Sequence, residues 1–368
     1  MLLLDKENII VDSARKIVVV SDNESVCISV AQILRTRGLE NIEIIQEDFF
    51  SSYNLTFSAE DTLGVIIDIH SESDIKVISE SVYSVIPQNV WCCVIGENDS
   101  ISLAQKLLNE GILYFHADSQ LNQMAEKIVS GVNIPIIRHT VKIAVLGCKG
   151  GIGSSMISAH LANEIVSNKK VPVLLAQGDL GSQDLDLLFD KKIQGDVVEF
   201  ESNFDLFSGR ISRLSSSVTD KYNFVIYDQP IFNVNKEDFS RVLEYGNSFV
   251  LVIERRISSL RVAKQFLDEC DRIRSSTGKP IRTFICISDN KLETSKLMAT
   301  SDIETLLKCP VDATIPFLKK TDSKTVLSID LGRTGKKEIN SLMMKIIGMI
   351  SRTKKKEKQS LFASLFKK

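Results

Sequence analysis

The sequence lacks the patterns of several common sites and segments. Its seven cysteines are an odd number without C-x-x-C spacing, so we expect reduced core thiols in a cytosolic protein. The four histidines are scattered, which argues against a metal site built on them. No run reaches the roughly 18 apolar residues of a membrane span. The N-terminus lacks the pattern of a signal peptide. We therefore expect a cytoplasmic protein.

The chain also has little net charge. Its 368 residues carry a formal charge of −2 with a pI of about 6.2, so no overall field favours nucleic acid and we expect no nucleic-acid partner. A local surface patch of Arg255, Arg256 and Arg261 is the one feature that favours DNA instead.

Residues 351–368 depart from this balance, with seven basic residues against one acidic residue. Apolar side chains there share one face of a short predicted helix flanked by lysines: Leu361, Phe362, Leu365 and Phe366. Such a basic amphipathic tail is typical of adsorption to an anionic membrane surface or docking into a partner's groove. A disordered, solubilising end is the alternative.

Strands and helices alternate twice along the chain. Short runs rich in valine and isoleucine, each followed by an amphipathic segment, predict parallel strands buried on both faces with crossover helices. We expect an α/β protein with two doubly wound parallel-sheet domains. The expected boundaries are 1–135 and 141–350, followed by the tail at 351–368, with Pro135 in the connection.

The sharpest motif is VKIAVLGCKGGIGSSMISAHLANEIV at 141–166, a strand that leads into glycines and then into a helix. Gly150, Gly151 and Gly153 let backbone N–H groups surround an anion without obstruction by a Cβ. The helix N-terminus adds partial positive charge. This order predicts a phosphate-binding loop, and a tight glycine turn without a ligand is the alternative.

The loop resembles the deviant P-loop of the ParA/MinD ATPase family, and three downstream segments at 174–189, 222–230 and 248–267 are similar to that family in the same order. The resemblance implies a P-loop fold, a homodimer, ATP and Mg²⁺. It implies nucleotide contacts at Lys149, Gly150, Gly151, Ile152, Gly153, Ser154, Ser155, Met156 and Asp228, with a possible adenine contact at 288–290. In the family the lysine at position 149 reaches across the dimer to the partner's phosphates. It also implies metal ligands at Ser155, Asp179 and Asp228, with Asp179 positioning the attacking water.

Two positions depart from the family pattern. Ser154 stands where the family has a lysine that bridges the β- and γ-phosphates, and Gln177 stands at the first switch aspartate. Losing an ammonium removes roughly 1.5 to 3 kcal/mol of binding and, by analogy with an oxyanion donor, about 10² to 10³ in rate. We therefore expect a degenerate ATPase that binds better than it hydrolyses.

The first half resembles receiver domains of response regulators, which have a flavodoxin-like fold. Asp68 stands at the phospho-acceptor position and Asp22 at one member of the acidic pair. The second acidic position is Ser21, and His116 stands where the lysine is expected. We therefore expect a vestigial receiver that acts as an interaction module. A regulator gated by phosphorylation of Asp68 is an alternative.

A receiver-like half before a ParA/MinD-like half most closely resembles the TadZ/CpaE group. That resemblance implies a polar localisation and scaffold factor for tight-adherence (Flp) pilus assembly and secretion. Its expected partners are a second copy and other pilus-assembly and secretion proteins, at the cell pole on the inner face of the inner membrane. The competing hypothesis is an active ParA/MinD-type ATPase that positions a cargo on membrane or nucleoid.

Overall fold

The computed structural model describes most of the chain outside its two ends. The described ranges are 15–52, 55–58, 61–87, 90–130, 140–178, 180–193, 196–277, 281–290, 297–319 and 324–348. The predicted tail at 351–368, the connection around Pro135 and Asp179 lie outside them. No helix within these ranges is long and apolar enough to cross a membrane.

The first half forms a parallel sheet, as its sequence pattern predicts. Within the described ranges its strand order is β2-β1-β3-β4-β5, the flavodoxin-like doubly wound order. Its strands are β1 Lys16–Val20, β2 Ile42–Ile45, β3 Thr62–Asp68, β4 Trp91–Gly96 and β5 Leu113–His116. The helices between and after them are α1 Glu24–Thr36, α2 Ile75–Val85, α3 Ile101–Asn109 and α4 Leu121–Val129.

The second half forms a larger sheet that is parallel except at one edge. In the part of the chain that the structure covers, the order is β13-β12-β11-β6-β10-β7-β9-β8, and only the β8–β9 pair is antiparallel. This hairpin was not predicted from the sequence. The strands are β6 Val141–Gly147, β7 Val173–Gly178, β8 Val198–Glu201, β9 Phe204–Gly209, β10 Phe224–Pro230, β11 Ser248–Ile253, β12 Arg282–Ser288 and β13 Ala313–Ile315.

Helices cover both faces of this second sheet. They are α5 Ser154–Lys169, α6 Leu185–Phe189, α7 Ser216–Thr219, α8 Phe239–Val242, α9 Ile257–Thr277, α10 Thr300–Leu307 and α11 Gly332–Ile346. Alternate residues of β6 and β10 enter two separate apolar cores, one under α5 and α11 and one under α8 and α9. The predicted α/β architecture is thereby confirmed, and the carboxyl ends of β6, β7, β10, β11 and β12 meet at one edge.

The two halves contact each other at the opposite edge of the second sheet. Asn223, fully buried just before β10, donates its side-chain amide to the carbonyls of Tyr83 at 2.9 Å and Ile86 at 2.6 Å. Arg282 at the start of β12 forms a 3.0 Å ion pair with Glu80 of α2. The first half therefore packs near the amino ends of the second sheet's strands, away from the edge where their carboxyl ends meet.

Lys169, at the end of α5, has a buried side chain whose effect on stability can be measured. Its side chain is fully buried, and desolvation lowers its pKa from 10.5 to about 8. Because the folded-state pKa lies below the unfolded value, the free energy of unfolding should rise as the pH increases from 8 to 10.5. We expect Lys169→Met to lack this rise, because methionine has no proton to release.

Urea unfolding of both proteins at several pH values measures this effect. The free energy of unfolding of wild type should rise relative to that of Lys169→Met between pH 8 and 10.5, because only the wild-type lysine loses a proton there. A difference that stays constant across that window would contradict the assignment.

Candidate phosphate-binding site

The glycine loop connects the carboxyl end of β6 to the start of α5. Gly151 and Gly153 have φ of +71° and +82°, a region that residues with a Cβ rarely adopt. A Cβ on Gly147 would lie 2.9 Å from Ser154 Oγ, so the loop folds tightly back onto the strand end. The glycines are therefore required by the shape of the loop.

A cavity of about 580 Å³ lies beside this loop. The first backbone N–H groups of α5 have no carbonyl one turn earlier in the helix, and together with the helix dipole they favour an anion. The cavity is lined by the loop from Lys149 to Met156, by Gln177, by parts of 180–188 and by Asp228, Pro230 and Phe232. Its size and backbone polarity suit a phosphate chain.

The structure brings most of the sequence-predicted residues together at this cavity. Those that line it are Lys149, Gly150, Gly151, Gly153, Ser154, Ser155, Met156 and Asp228. Ile152 differs, because its side chain is buried in the core under α5, so only its backbone is available to a ligand. Asp179, the predicted water-positioning residue, lies outside the described ranges.

Asp228, near the end of β10, accepts hydrogen bonds from the loop side and from β7. Its carboxylate is only 3% exposed and accepts bonds from Ser158 Oγ and Gln177 Nε2, both at 3.1 Å, and from the Ser155 hydroxyl. Desolvation raises the pKa of Asp228, while these three hydrogen bonds oppose the rise. The carboxylate is thus held rigidly beneath the loop.

Gln177 links this carboxylate to a second one. Its Nε2 lies 3.1 Å from both Asp228 Oδ2 and Asp184 Oδ1, and 3.2 Å from Ser182 Oγ. Its Oε1 accepts the backbone N–H of Leu185 at 3.3 Å. A neutral donor therefore lies between two carboxylates, where an aspartate would repel both. Sequence reasoning missed Ser182 and Asp184, although the acidic segment after β7 was a usable signal.

Lys149 extends away from the cavity's carboxylates. Its ammonium contacts Glu254 Oε1, just after β11, and Glu254 is 1% exposed. Asn290, in the segment considered for adenine, donates its side-chain amide to Glu254 Oε2 at 2.5 Å. Nothing in the sequence motif pointed to Glu254, because 105 positions separate it from Lys149.

The arginine patch considered from the sequence is incomplete on the surface. Arg256 and Arg261 are exposed, but Arg255 forms a 2.6 Å ion pair with Asp289 in which both side chains are about 10% exposed. Arg255 also donates to Thr300 Oγ1 at 3.0 Å. Its guanidinium is therefore committed to packing α9 against β12 and α10 and adds little to a DNA-binding surface.

The described donor set fits magnesium in part. Mg²⁺ usually keeps several waters and takes one or two protein oxygens besides phosphates. Ser155 and Asp228 are adjacent and would hold such an ion, which would neutralise phosphate charge. Gln177 supplies an amide where the family resemblance places a carboxylate, so metal affinity would depend mainly on the phosphates. Among the residues described, no cluster of three or more His, Cys, Asp and Glu side chains has metal-site geometry.

The two receiver-like positions predicted in the first half, Asp68 and Asp22, both lie near His70. Asp68, 3% exposed at the end of β3, accepts Ser21 Oγ at 2.7 Å and the backbone N–H of His70 at 2.9 Å. His70 Nε2 lies 3.0 Å from Asp22 Oδ1, at ion-pair distance but without hydrogen-bond alignment. His116, by contrast, accepts the N–H of Asp118 at 3.3 Å in the turn after β5. His70, which sequence reasoning missed, bridges the two aspartates.

No protein-family model and no curated protein sequence matches the chain. Solved structures do resemble it over a little more than half of its length. A chain of the MinC:MinD cell division protein complex from Aquifex aeolicus is 17% identical, with 58% of this chain and 98% of that chain covered and a TM-score of 0.48.

Two further structures are similar at about the same level. A ParA family ATPase from Chlorobium tepidum TLS is 21% identical over 56% of this chain and 98% of that chain, with a TM-score of 0.42. The septum site-determining protein MinD complexed with Mg-ADP from Pyrococcus horikoshii OT3 is 16% identical over 58% of this chain and 100% of that chain, with a TM-score of 0.45. At these values the likeness assigns no role to any residue here.

Gln177→Glu tests the amide bridge between the two carboxylates. The substitution puts a third acceptor where Nε2 now donates, so we expect a loss of about 2 to 3 kcal/mol in the free energy of unfolding without divalent ions. Millimolar Mg²⁺ should restore much of that loss by pairing with the carboxylates. Urea unfolding in EDTA and in Mg²⁺ measures both effects.

Gln229→Glu is the matched control for this test. Gln229 is next to Asp228 on β10, so its side chain points to the opposite face of the sheet, where it is 2% exposed. The same charge change there should destabilise the protein without rescue by Mg²⁺. Equal rescue of both variants would refute the proposed bridge.

The first-half cluster predicts resistance to phosphorylation. Asp68 is buried and both of its oxygens accept hydrogen bonds, so incubation with acetyl phosphate and Mg²⁺ should leave the intact mass unchanged. Ser21→Asp, which restores the second acidic position, is the comparison variant. A stable phosphoryl adduct on wild type that is lost in Asp68→Asn would revive the phosphorylation-gated alternative.

Proposed function

We propose that the second half binds ATP with Mg²⁺ and hydrolyses it slowly or not at all. The observation that carries this proposal is the charge of the cavity. The loop and the start of α5 present backbone N–H groups to it, whereas Lys149 is the one cation among the described residues that line it. Because the amine of Lys149 is paired with Glu254, the cavity has no free cation from this set.

Support for binding comes from the backbone. Glycine loops before a helix N-terminus stabilise phosphates through N–H groups and the helix dipole, and neither source needs the missing lysine. Ser155 adds a hydroxyl next to the buried Asp228. These features favour a bound triphosphate of moderate affinity.

Support for slow turnover comes from the side chains. Phosphoryl transfer depends on preorganised positive charge where negative charge develops, and position 154 supplies a hydroxyl instead. Gln177 donates its neutral amide toward Asp228 Oδ2 and Asp184 Oδ1, so neither of these two oxygens is free to orient a water without rearrangement. This combination favours retention of ATP over cleavage.

The biological role that we propose is a dimeric scaffold, and it rests on the resemblance to the TadZ/CpaE group. In that role the chain would localise at the cell pole and recruit pilus-assembly and secretion proteins of a tight-adherence system. Large apolar side chains at and near the cavity support association with a second copy: Leu180 at 48%, Leu187 at 77% and Phe232 at 46% exposure. The basic tail supports contact with the inner face of the inner membrane.

Ser154→Lys tests this function. The variant supplies the missing cation, so we expect ATP to bind about tenfold or more tightly and turnover to rise by about 10² or more. Equilibrium titration with ATPγS measures the first effect and steady-state phosphate release measures the second. Ser154→Gln, which is long but neutral, should produce neither gain.

The competing hypothesis, an active ATPase, predicts rapid turnover by the wild-type protein. Wild-type turnover near 1 s⁻¹ or faster, within the ordinary range of enzymes, would refute the scaffold proposal. Asp228→Asn, which removes the charge behind Ser155, identifies any background hydrolysis that does not come from this site.

A further inference from the structure

Glu254 is a buried carboxylate that holds two separate parts of the phosphate site. Its side chain is 1% exposed, with Oε1 against the Lys149 ammonium and Oε2 accepting Asn290 Nδ2 at 2.5 Å. Its own backbone N–H donates to Ser259 Oγ at 3.2 Å, which fixes the turn between β11 and α9. The carboxylate therefore connects the glycine loop to the end of β12.

The residues around Glu254 determine which cation compensates its charge. A buried carboxylate remains ionised only when a cation or strong donors compensate for its lost hydration. The neighbouring Arg255 is directed to Asp289 at 2.6 Å, so it does not serve this purpose. Lys149 supplies the compensating charge to Glu254, although its own side chain is 37% exposed and therefore accessible.

The ion pair between Lys149 and Glu254 lies to one side of the candidate phosphate site. In the sheet, β11 and β12 lie on one side of β6, whereas β10 and β7, which carry Asp228 and Gln177, lie on the other. Glu254 and Asn290 follow β11 and β12, and neither lines the cavity. Lys149 is consequently drawn toward the β11–β12 side, away from the carboxylates beneath the loop.

We propose that Glu254 is a positioning residue that holds Lys149 outside the phosphate cradle until a polyphosphate competes for it. This inference rests on the proposed function of the cavity and adds a determinant of its affinity. A triphosphate held by the backbone N–H groups gains the ammonium as a further contact only if it draws Lys149 from Glu254, so the ion pair lowers its affinity.

A double-mutant cycle tests this role in the full chain. Glu254→Gln keeps the side-chain shape and removes the charge, so we expect it to bind ATPγS with Mg²⁺ about tenfold more tightly than wild type. In a Lys149→Ala background the same substitution should produce no gain. Isothermal titration calorimetry measures all four affinities.

Glu244→Gln is the matched control, since it changes net charge equally at an exposed position in the turn before β11, at the amino end of the sheet. Where wild type binds ATPγS, a gain in Glu254→Gln that persists without Lys149, or the absence of any gain, would overturn the proposal. If Glu254→Gln does not fold, Glu254→Met has similar length, needs no buried partner and should act in the same way.

A second readout needs no nucleotide. Acetylation by an N-hydroxysuccinimide ester, followed by peptide mass spectrometry, reports how available the Lys149 amine is. We expect labelling of Lys149 to be several-fold faster in Glu254→Gln than in wild type and in Glu244→Gln. Equal labelling in all three would overturn the ion pair. Faster labelling with no ATPγS binding by any variant would instead refute the proposed function and uphold the role of Glu254.

Discussion

The candidate phosphate site depends on a separation between backbone polarity and side-chain charge. Tight glycine geometry between β6 and α5 directs N–H groups at a cavity of about 580 Å³. The one lining cation among the described residues, Lys149, is paired with the buried Glu254 on the far side of β6. An anion in this cavity would be stabilised mainly by fixed dipoles, which suit binding, and would lack the cation that promotes phosphoryl transfer.

On the acidic side of the cavity, a neutral side chain lies between two carboxylates. Asp228 and Asp184 would repel each other in a buried setting, and the Gln177 amide relieves that repulsion by donating toward both. These hydrogen bonds hold the Gln177 side chain in place between the end of β7 and the start of α6.

The sequence predicted the parts of this structure that depend on neighbouring residues. The strand, the glycines and the helix at 141–166 form a continuous segment, and the valine-rich runs identify the parallel strands wherever both faces are buried. The β8–β9 hairpin was missed because an edge pair is only partly buried and lacks that pattern. The roles of Glu254, Asp184 and His70 were missed because they arise from which strand ends the sheet order brings together, and short motifs carry no information about it.

The most direct measurement of the central claim is a single-turnover experiment with protein in excess over radiolabelled ATP and Mg²⁺. If the site holds ATP without the charge needed to cleave it, nucleotide recovered with the protein should remain ATP over an hour. Conversion of the bound nucleotide to ADP within seconds to minutes, lost in Asp228→Asn, would contradict the account.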